Sequence, residues 1–482
     1  MVTMVGRFKS LFSAALLASV AGCASVPDLG ARPAPAAPES LATTRSFADA
    51  RGDWPADQWW RGFGDPQLDA LIGEALAGAP DLRAADARVR AAQGLAQQAG
   101  AALLPRLGAE ASVGGQRQSQ NLGIPPQFVP DGIQDVGRIA GTFSFDLDLW
   151  GRNRAALAAA TSEAQAAEVE AAEARLLLAA NIASAYADLI ALHAQRDVAE
   201  EAVRVRGATA KLTARRVENG LDTRGELRQA EARVPAARAE LAALDESIAL
   251  TRNRIAALVG AGPDRALTIA RPQLTPLAQG LPDRLALDLI GRRPDIVAAR
   301  LRAEAAARRI DQARADFYPN VNLTALIGLQ SLGLNQLFDG GSTIANFGPA
   351  LTLPLFEGGR LQGQYRGARA RYDEAVAQYD ARLVQALREV ADAATSLKAL
   401  DIRLTEQRAA LEAADEAARI ARLRYEGGLA NQLTALEADD QLLINRRAVA
   451  ELEARRFALN VALVRALGGG FETAPLRLAG NK

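Results

Sequence analysis

The sequence predicts a mainly α-helical chain that also supplies strands of the kind found in transmembrane β-barrels, arranged as two structural repeats. Three observations lead to this fold class. Long alanine-rich stretches that lack proline indicate helices. Two similar glycine-containing breaks, at Gly220 and Gly428, lie 208 positions apart. Short segments alternate between apolar and small or polar residues, as half-exposed strands do. A repeat of about 200 residues indicates duplication of a whole domain, not a solenoid array.

Composition excludes several classes of function. The chain has 482 residues with 56 Lys and Arg against 56 Asp and Glu, so it lacks the basic bias of a nucleic-acid-binding protein. One Cys and one His leave no Cys/His metal cluster and no disulfide within the chain. The patterns GxGxxG, Walker A, GxSxG and HExxH are also missing. We therefore predict no enzymatic activity, no catalytic or metal site, and no cofactor.

Two further expectations follow from the same residue counts. His193, the single histidine, lies in a polar and alanine-rich helical stretch, and we interpret it as an ordinary helical residue. After the N-terminus no run of about 18 apolar residues is evident, so no transmembrane helix is predicted.

The N-terminus has the features of a secretory signal. Basic residues precede an apolar run over residues 11–20, and the only Cys follows the small residues Ala21 and Gly22. This resembles the cleavage motif of bacterial lipoproteins, so we predict a signal peptide over 1–22 and lipidation of Cys23. The alternative is a chance Cys within a signal peptide. The next residue is alanine rather than aspartate, which by the same resemblance favours sorting to the outer membrane. Residues 23–58 are predicted to form a lipidated, proline-rich tether.

The first repeat is predicted over residues 59–270. It begins with two helices, the second of which has Asp81 at its positively polarised N-terminus. A strand hairpin follows at about 106–150. A hairpin of two long helices then covers 152–260, with a kink predicted at Pro235. The outgoing arm would span on the order of 95 Å.

The second repeat is predicted over residues 278–470 and follows the same plan. Pro294 stands 214 positions after its counterpart Pro80 in the first repeat. A strand hairpin is predicted at about 320–356, and a long helical hairpin at 361–468. Residues 471–482 form a C-terminal tail. Helical arms of this length are stable only when they pack against one another.

The clearest strand is predicted from Arg138 to Trp150, where one face carries Ile139, Phe143, Phe145, Leu147 and Leu149. Asp146 and Asp148 fall on its other face, where they either line a pore or are merely solvated. Strands of this pattern form transmembrane barrel walls, or a soluble sheet with one buried face. The lipoprotein signal favours the barrel. Four strands cannot close a barrel, because small barrels need about eight, so other copies must supply the rest.

The two breaks join the arms of the helical hairpins and should form tight helix–helix tips. Glycine permits the positive φ at which a helix ends. Asn431 and Thr434 are candidate N-caps of the helix after the second tip. Thr223 with Glu226, and Thr434 with Glu437, each have the spacing of a capping box.

The chain resembles the TolC-like outer membrane factors, in particular their lipidated efflux type. The resemblance covers nearly all of the mature chain. It rests on five motifs, each modest alone, and on the order in which they follow one another along the chain. They are Trp59-Trp60 with Asp65-Pro66-Gln67-Leu68, Arg292-Arg293-Pro294-Asp295-Ile296, Phe317-Tyr318-Pro319, Phe356-Glu357-Gly358-Gly359-Arg360, and Arg424-Tyr425-Glu426-Gly427-Gly428.

The resemblance implies a homotrimer whose twelve strands close one outer-membrane β-barrel, continued by a long periplasmic α-helical barrel. It also implies a periplasmic adaptor and an inner-membrane efflux pump of the RND type, with drugs or other small molecules leaving passively through the channel. The protein would be anchored in outer-membrane lipid and extend into the periplasm. Two alternatives stay open: a type I secretion channel for proteins, and a structural periplasmic coiled-coil lipoprotein.

The resemblance also implies which residues form the closed periplasmic mouth. Leu433 and Glu437 match ring positions that narrow it, while Thr434 stands where some relatives carry a second acid. Glu226 is the counterpart of Thr434 in the first repeat. For either Glu the alternative is a helix cap. Tyr425 and Arg424 would hold the closed tip, or pack in the core. The residues implied to form the tips and contact the adaptor are Val217, Asn219, Gly220, Leu221, Arg424, Tyr425, Gly427, Gly428 and Leu429.

Overall fold

A computed structural model describes residues 25–37, 40–43, 45–47, 53–121, 125–273, 289 and 291–472. The predicted signal peptide, Cys23 and the C-terminal tail from residue 473 onward lie outside the described residues. The chain divides into two compact units. The strand unit comprises Met1–Pro35, Val89–Ala167 and Ala299–Tyr379, and the helical unit comprises Ala36–Arg88, Glu168–Ala298 and Asp380–Lys482.

Four antiparallel strands form the sheet of the strand unit, in the order β1-β2-β3-β4. Their bounds are β1 Arg106–Gln116, β2 Gln134–Asp146, β3 Asn320–Leu332 and β4 Thr343–Thr352.

The register places the alternating apolar residues on one common face of this sheet. Phe143 lies opposite Leu107 on one side and Ala325 on the other, and Ala325 lies opposite Phe347. Leu107 is 84% exposed and Phe347 is 83% exposed, so the residues that the structure describes leave this apolar face uncovered. Small and polar residues occupy the opposite face, which we call the polar face. The predicted alternation is therefore confirmed.

Strand β2 ends four residues earlier than predicted, and this corrects the interpretation of Asp148. Asp148 has a φ of 46° and lies outside the strand. Its carboxylate accepts hydrogen bonds from the backbone N–H groups of Asn153 (2.8 Å) and Arg154 (3.0 Å). Those groups open the following helix and have no partners within it. Asp148 is therefore a helix-start residue and not a strand residue, while Asp146 closes β2 on the polar face.

Eight helices are described: α1 Pro66–Gly78, α2 Pro80–Ala101, α3 Arg152–Glu218, α4 Arg224–Val259, α5 Asp264–Leu267, α6 Pro294–Ala315, α7 Arg360–Glu426 and α8 Gln432–Ala466. The two outgoing arms, α3 and α7, have 67 residues each. The returning arms α4 and α8 have 36 and 35 residues. Helix α4 continues through Pro235 without ending.

One helix differs from the expectation on membrane spans. Helix α3 contains an 18-residue window that is long and apolar enough to cross a membrane, and 56% of that window is buried inside the protein. The core of the helical unit explains the burial. Ile182, Tyr186 and Leu189 of α3 pack there with Trp59, Trp60 and Phe63. Alanine makes up much of this helix, and it both allows close packing between helices and raises the mean hydropathy of the segment.

Residues 25–37, which we call the strap, form neither helix nor strand and lie along α7. Arg369 donates hydrogen bonds from its guanidinium to the carbonyls of Gly30, at 3.2 Å, and Ala31. The hydroxyl of Tyr372 donates to the carbonyl of Pro33 at 2.9 Å. Later strap residues therefore meet later residues of α7, and the strap runs in the direction of that helix.

Candidate functional site

Both helical tips use the same backbone turn. Gly220 and Gly428 have φ values of 72° and 73°, which L-residues rarely adopt. In the first tip the N–H of Leu221 donates to the carbonyl of Arg216 at 2.8 Å, and Gly220 donates to Val217. In the second tip the equivalent bonds run from Leu429 to Arg424 and from Gly428 to Tyr425. This pair of bonds is the Schellman arrangement, in which glycine ends a helix and satisfies its last carbonyls.

The helices that leave the tips begin with different caps. In the first tip the Oγ1 of Thr223 accepts from the N–H of Glu226 (3.2 Å), and Glu226 accepts from the N–H of Thr223 (2.6 Å). This is the predicted capping box. In the second tip Asn431 is the N-cap and its Oδ1 accepts from the N–H of Thr434 at 3.0 Å. Thr434 is therefore not the cap, and the capping interpretation of Glu437 is wrong because Glu437 lies beyond the first turn of α8.

Three side chains join the two tips within one chain, and we call them the tip lock. The Oδ2 of Asp222 accepts hydrogen bonds from the hydroxyl of Tyr425 (2.7 Å) and from the Nε of Arg216 (3.0 Å). Arg216 also donates to the carbonyl of Tyr425 at 3.3 Å, and its guanidinium lies 4.5 Å from the centre of the Tyr425 ring. Tyr425 is 2% exposed. The tip lock thus combines a charged hydrogen bond with a cation–π contact.

Burial and the neighbouring Asp222 raise the pKa of Tyr425 to about 12. The hydroxyl therefore stays protonated and remains a donor throughout the physiological pH range. The hydrogen bond to Asp222 raises the pKa of Arg216, which keeps its charge. The tip lock is consequently insensitive to pH changes near neutrality.

Further polar contacts join α8 to the first helical hairpin. Asp440 lies 3.2 Å from the guanidinium of Arg206 on α3 and 2.6 Å from that of Arg233 on α4. The amide of Gln432 donates to the buried hydroxyl of Thr213. One carboxylate thus holds both helices of the first hairpin beside α8.

The predicted constriction residues occupy one exposed stripe at the start of α8. Leu433 and Glu437 are one turn apart and exposed, with Leu433 at 48%. Leu436, which borders this stripe on the helix surface, is buried. Thr434 is exposed beside them, and Glu226 is half-buried on α4. A ring of such residues needs further copies of the chain.

Most of the predicted tip residues are exposed around the two turns, and Val217 is half-buried. Arg424 does not join the tip lock: its side chain is exposed, and Arg216 supplies the guanidinium instead. Sequence reasoning missed Arg216 and Asp222. A signal was present, because the position equivalent to Asp222 in the second repeat is Ala430, so the two tips differ in charge at this position.

Comparison with known proteins identifies the family. The family model described as "Outer membrane efflux protein" matches residues 71–261 and 285–469, one segment in each predicted repeat. The chain belongs to the outer membrane efflux protein family. This confirms the resemblance to TolC-like channels and the predicted efflux function in the outer membrane.

Individual relatives and one solved structure support the same family assignment. The multidrug resistance outer membrane protein MdtP of Escherichia coli K12 is 33% identical over 464 residues, which is 95% of each chain. The fusaric acid resistance protein FusA of Burkholderia cepacia is 40% identical over 73% of this chain and 67% of its own. The crystal structure of the outer membrane protein VceC of Vibrio cholerae has a TM-score of 0.83 at 47% identity, covering 87% of this chain and 100% of VceC. The predicted fold class, a mainly α chain with barrel strands, is confirmed.

Proposed function

We propose that three copies of this chain form the exit duct of a tripartite efflux system, which receives small molecules from an inner-membrane pump of the RND type through a periplasmic adaptor. The observation that carries this proposal is the four-stranded sheet with its uncovered apolar face. Four strands are too few to close a barrel, and three copies supply twelve, within the range of outer-membrane barrels. Such a duct is a passage and not an enzyme.

The periplasmic mouth is the second part of the proposal. Threefold symmetry would bring three copies of Leu433 and Glu437 to one axis, where they form an apolar ring and a carboxylate ring. Carboxylate rings favour cations over anions. The tip lock keeps the two tips of each chain together, which favours the closed mouth until the adaptor binds the exposed tip residues.

A covalent lipid on Cys23 completes the proposal, and the strap supports it. Arg369, which contacts Gly30, lies nine residues beyond the start of α7, or about 13 Å along a helix. Cys23 stands seven positions before Gly30, and this length of chain can span up to about 25 Å. The lipidated residue can thus reach the level at which β4 ends and α7 begins, where the bilayer surface is expected.

The test uses a strain that lacks its own efflux channel but produces the cognate adaptor and pump. This chain should lower ethidium accumulation several-fold, whereas the same strain without the pump should gain nothing. The purified protein should have the mass of three chains in detergent. A monomer in detergent, or equal accumulation with and without the chain, would refute the proposal.

A further inference from the structure

A cavity of about 390 Å³ lies in the strand unit, where the strands meet the flanking helices. Asp146, Asn320 and Thr352 line it from the ends of β2, β3 and β4. The register places all three on the polar face of the sheet, because Asn320 pairs with Thr352 and Asp146 pairs with Asn322. The cavity therefore opens on the side opposite to the apolar face, and in a closed barrel this is the channel side.

The cavity contains more negative charge than positive charge. Arg152 lies 3.7 Å from Asp146 and 3.6 Å from Asp316, so two carboxylates share one guanidinium at distances longer than a direct hydrogen bond. The other cation, Arg360, is already paired with Glu357 at 2.8 Å. Burial raises the pKa of Asp316, and the charges of Arg152 and, to a smaller extent, Arg360 offset this only in part. One carboxylate in the cavity thus lacks a full counter-charge.

An aromatic wall stands beside these carboxylates. Trp150 stacks on Tyr318 with ring centres 4.7 Å apart, and its indole N–H donates to the carbonyl of Pro319 at 2.8 Å. The hydrogen bond fixes the indole plane, and both rings border the cavity. Aromatic rings attract cations through their negative faces, tryptophan most strongly. An organic cation in this cavity would therefore have carboxylates near its positive charge and aromatic rings beside its apolar part.

We infer that this cavity is a binding subsite for organic cations on the channel side of the barrel strands. The inference rests on the proposed function, because it assumes that the polar face borders the path of cargo. The volume suits a small molecule, since ligand pockets commonly enclose about 300–1,000 Å³. The subsite would retain amine-bearing aromatic cargo briefly at the ends of the barrel strands. Asp316 and Trp150 are its main recognition residues.

The experiment is titration calorimetry of the purified, lipidated protein in a non-ionic detergent with benzyltrimethylammonium, and with benzenesulfonate as the anionic control. Wild type should bind the cation saturably and the anion at least tenfold more weakly. Asp316→Asn should weaken cation binding at least tenfold, and Trp150→Leu at least fivefold. Asp311→Asn removes a carboxylate from α6, which precedes Asp316 in the chain, at a position outside the cavity, and should bind as wild type does.

Assembly and single-channel conductance of each variant should match wild type, so that a lost affinity reflects the cavity. Because both Asp316→Asn and Trp150→Leu probe the site, a folding failure of one leaves the other decisive. The inference is overturned if wild type shows no saturable binding, if the anion binds equally well, or if neither variant loses affinity. Export of the neutral drug chloramphenicol by wild type tests the proposed function separately.

Discussion

The tip lock shows how a duplicated sequence becomes asymmetric at single residues. The two tips share their glycine, their turn and their backbone hydrogen bonds, yet Asp222 and Tyr425 have no equivalents at the matching positions Ala430 and Val217. The first tip supplies the carboxylate and the second supplies the hydroxyl. Each tip is thus incomplete by itself, and the contact forms only when both lie side by side.

Tyr425→Phe should weaken the tip lock while leaving the ring beside Arg216. The change removes a hydrogen bond to a charged group, which contributes about 1.5–3 kcal/mol. We expect a higher mean single-channel conductance in planar bilayers and greater uptake of large antibiotics by cells. The control is Tyr372→Phe, which removes a hydroxyl that donates to the strap carbonyl of Pro33. Equal conductance in both variants and wild type would show that the hydroxyl of Tyr425 does not restrain the tips.

Glu437 and Glu226 should respond differently to loss of charge. Glu437 does not cap its helix, so Glu437→Gln should reduce cation selectivity and leave thermal stability unchanged. Glu226 belongs to a capping box, so Glu226→Ala should cost about 0.5–2 kcal/mol of stability. Reversal potentials in a salt gradient and thermal unfolding measure the two effects. Unchanged selectivity in Glu437→Gln would place the charge filter elsewhere.

At the scale of elements, the sequence predicted helices better than strand ends. Proline-free alanine-rich runs fix where α3 and α7 lie, and glycine fixes where they end. The end of β2 was missed because Leu147 and Leu149 continue the apolar alternation after Asp146. Alternation of apolar and polar residues shows only which face of a strand each side chain occupies. The role of Asp148 is to accept hydrogen bonds from the free backbone N–H groups at the start of α3. Side chains that bind the first N–H groups of a helix do not recur at a fixed spacing in the sequence. A repeating pattern of hydropathy therefore cannot identify them.

The glycines of the helical arms and tips should respond oppositely to alanine. Gly428→Ala forces an L-residue to a φ of 73° and should cost about 1–2 kcal/mol. An added Cβ meets nothing within 4 Å there, so the cost is purely one of backbone conformation. Gly207 lies inside α3 with similar free space. Gly207→Ala should therefore stabilise the protein by about 0.5–1 kcal/mol. Thermal unfolding of both variants checks the signs, and a stabilising Gly428→Ala would contradict the turn described here.

At the scale of the whole molecule, the sequence was enough to predict the family and the need for several copies. It did not predict the contacts between segments that are distant in the chain. The carboxylate of Asp440 meets Arg206 and Arg233 from more than 200 positions away. No local period encodes such a meeting. The same limit applies to the cavity beside Asp146, which draws its residues from both repeats.

Cys23→Ser should abolish labelling by radioactive palmitate and leave an uncleaved precursor. Barrel assembly should persist, because closure of the strands does not depend on the lipid, and export should fall only slightly. Arg369→Ala is the matched control. It removes the hydrogen bonds to the strap but keeps the thiol, so labelling should remain. Palmitate incorporation into Cys23→Ser would show that another residue carries the lipid.

The strap also dictates an order of events during biogenesis. Residues 30–33 are synthesised early, yet their hydrogen-bonding partners, Arg369 and Tyr372, follow them by 339 positions. Closing so long a loop is entropically unfavourable until the intervening chain is ordered. The strap must therefore stay solvated and unpacked while most of the protein is synthesised and translocated. If Cys23 carries the proposed lipid, the enzymes that attach it would act on this open peptide before the strap packs along α7.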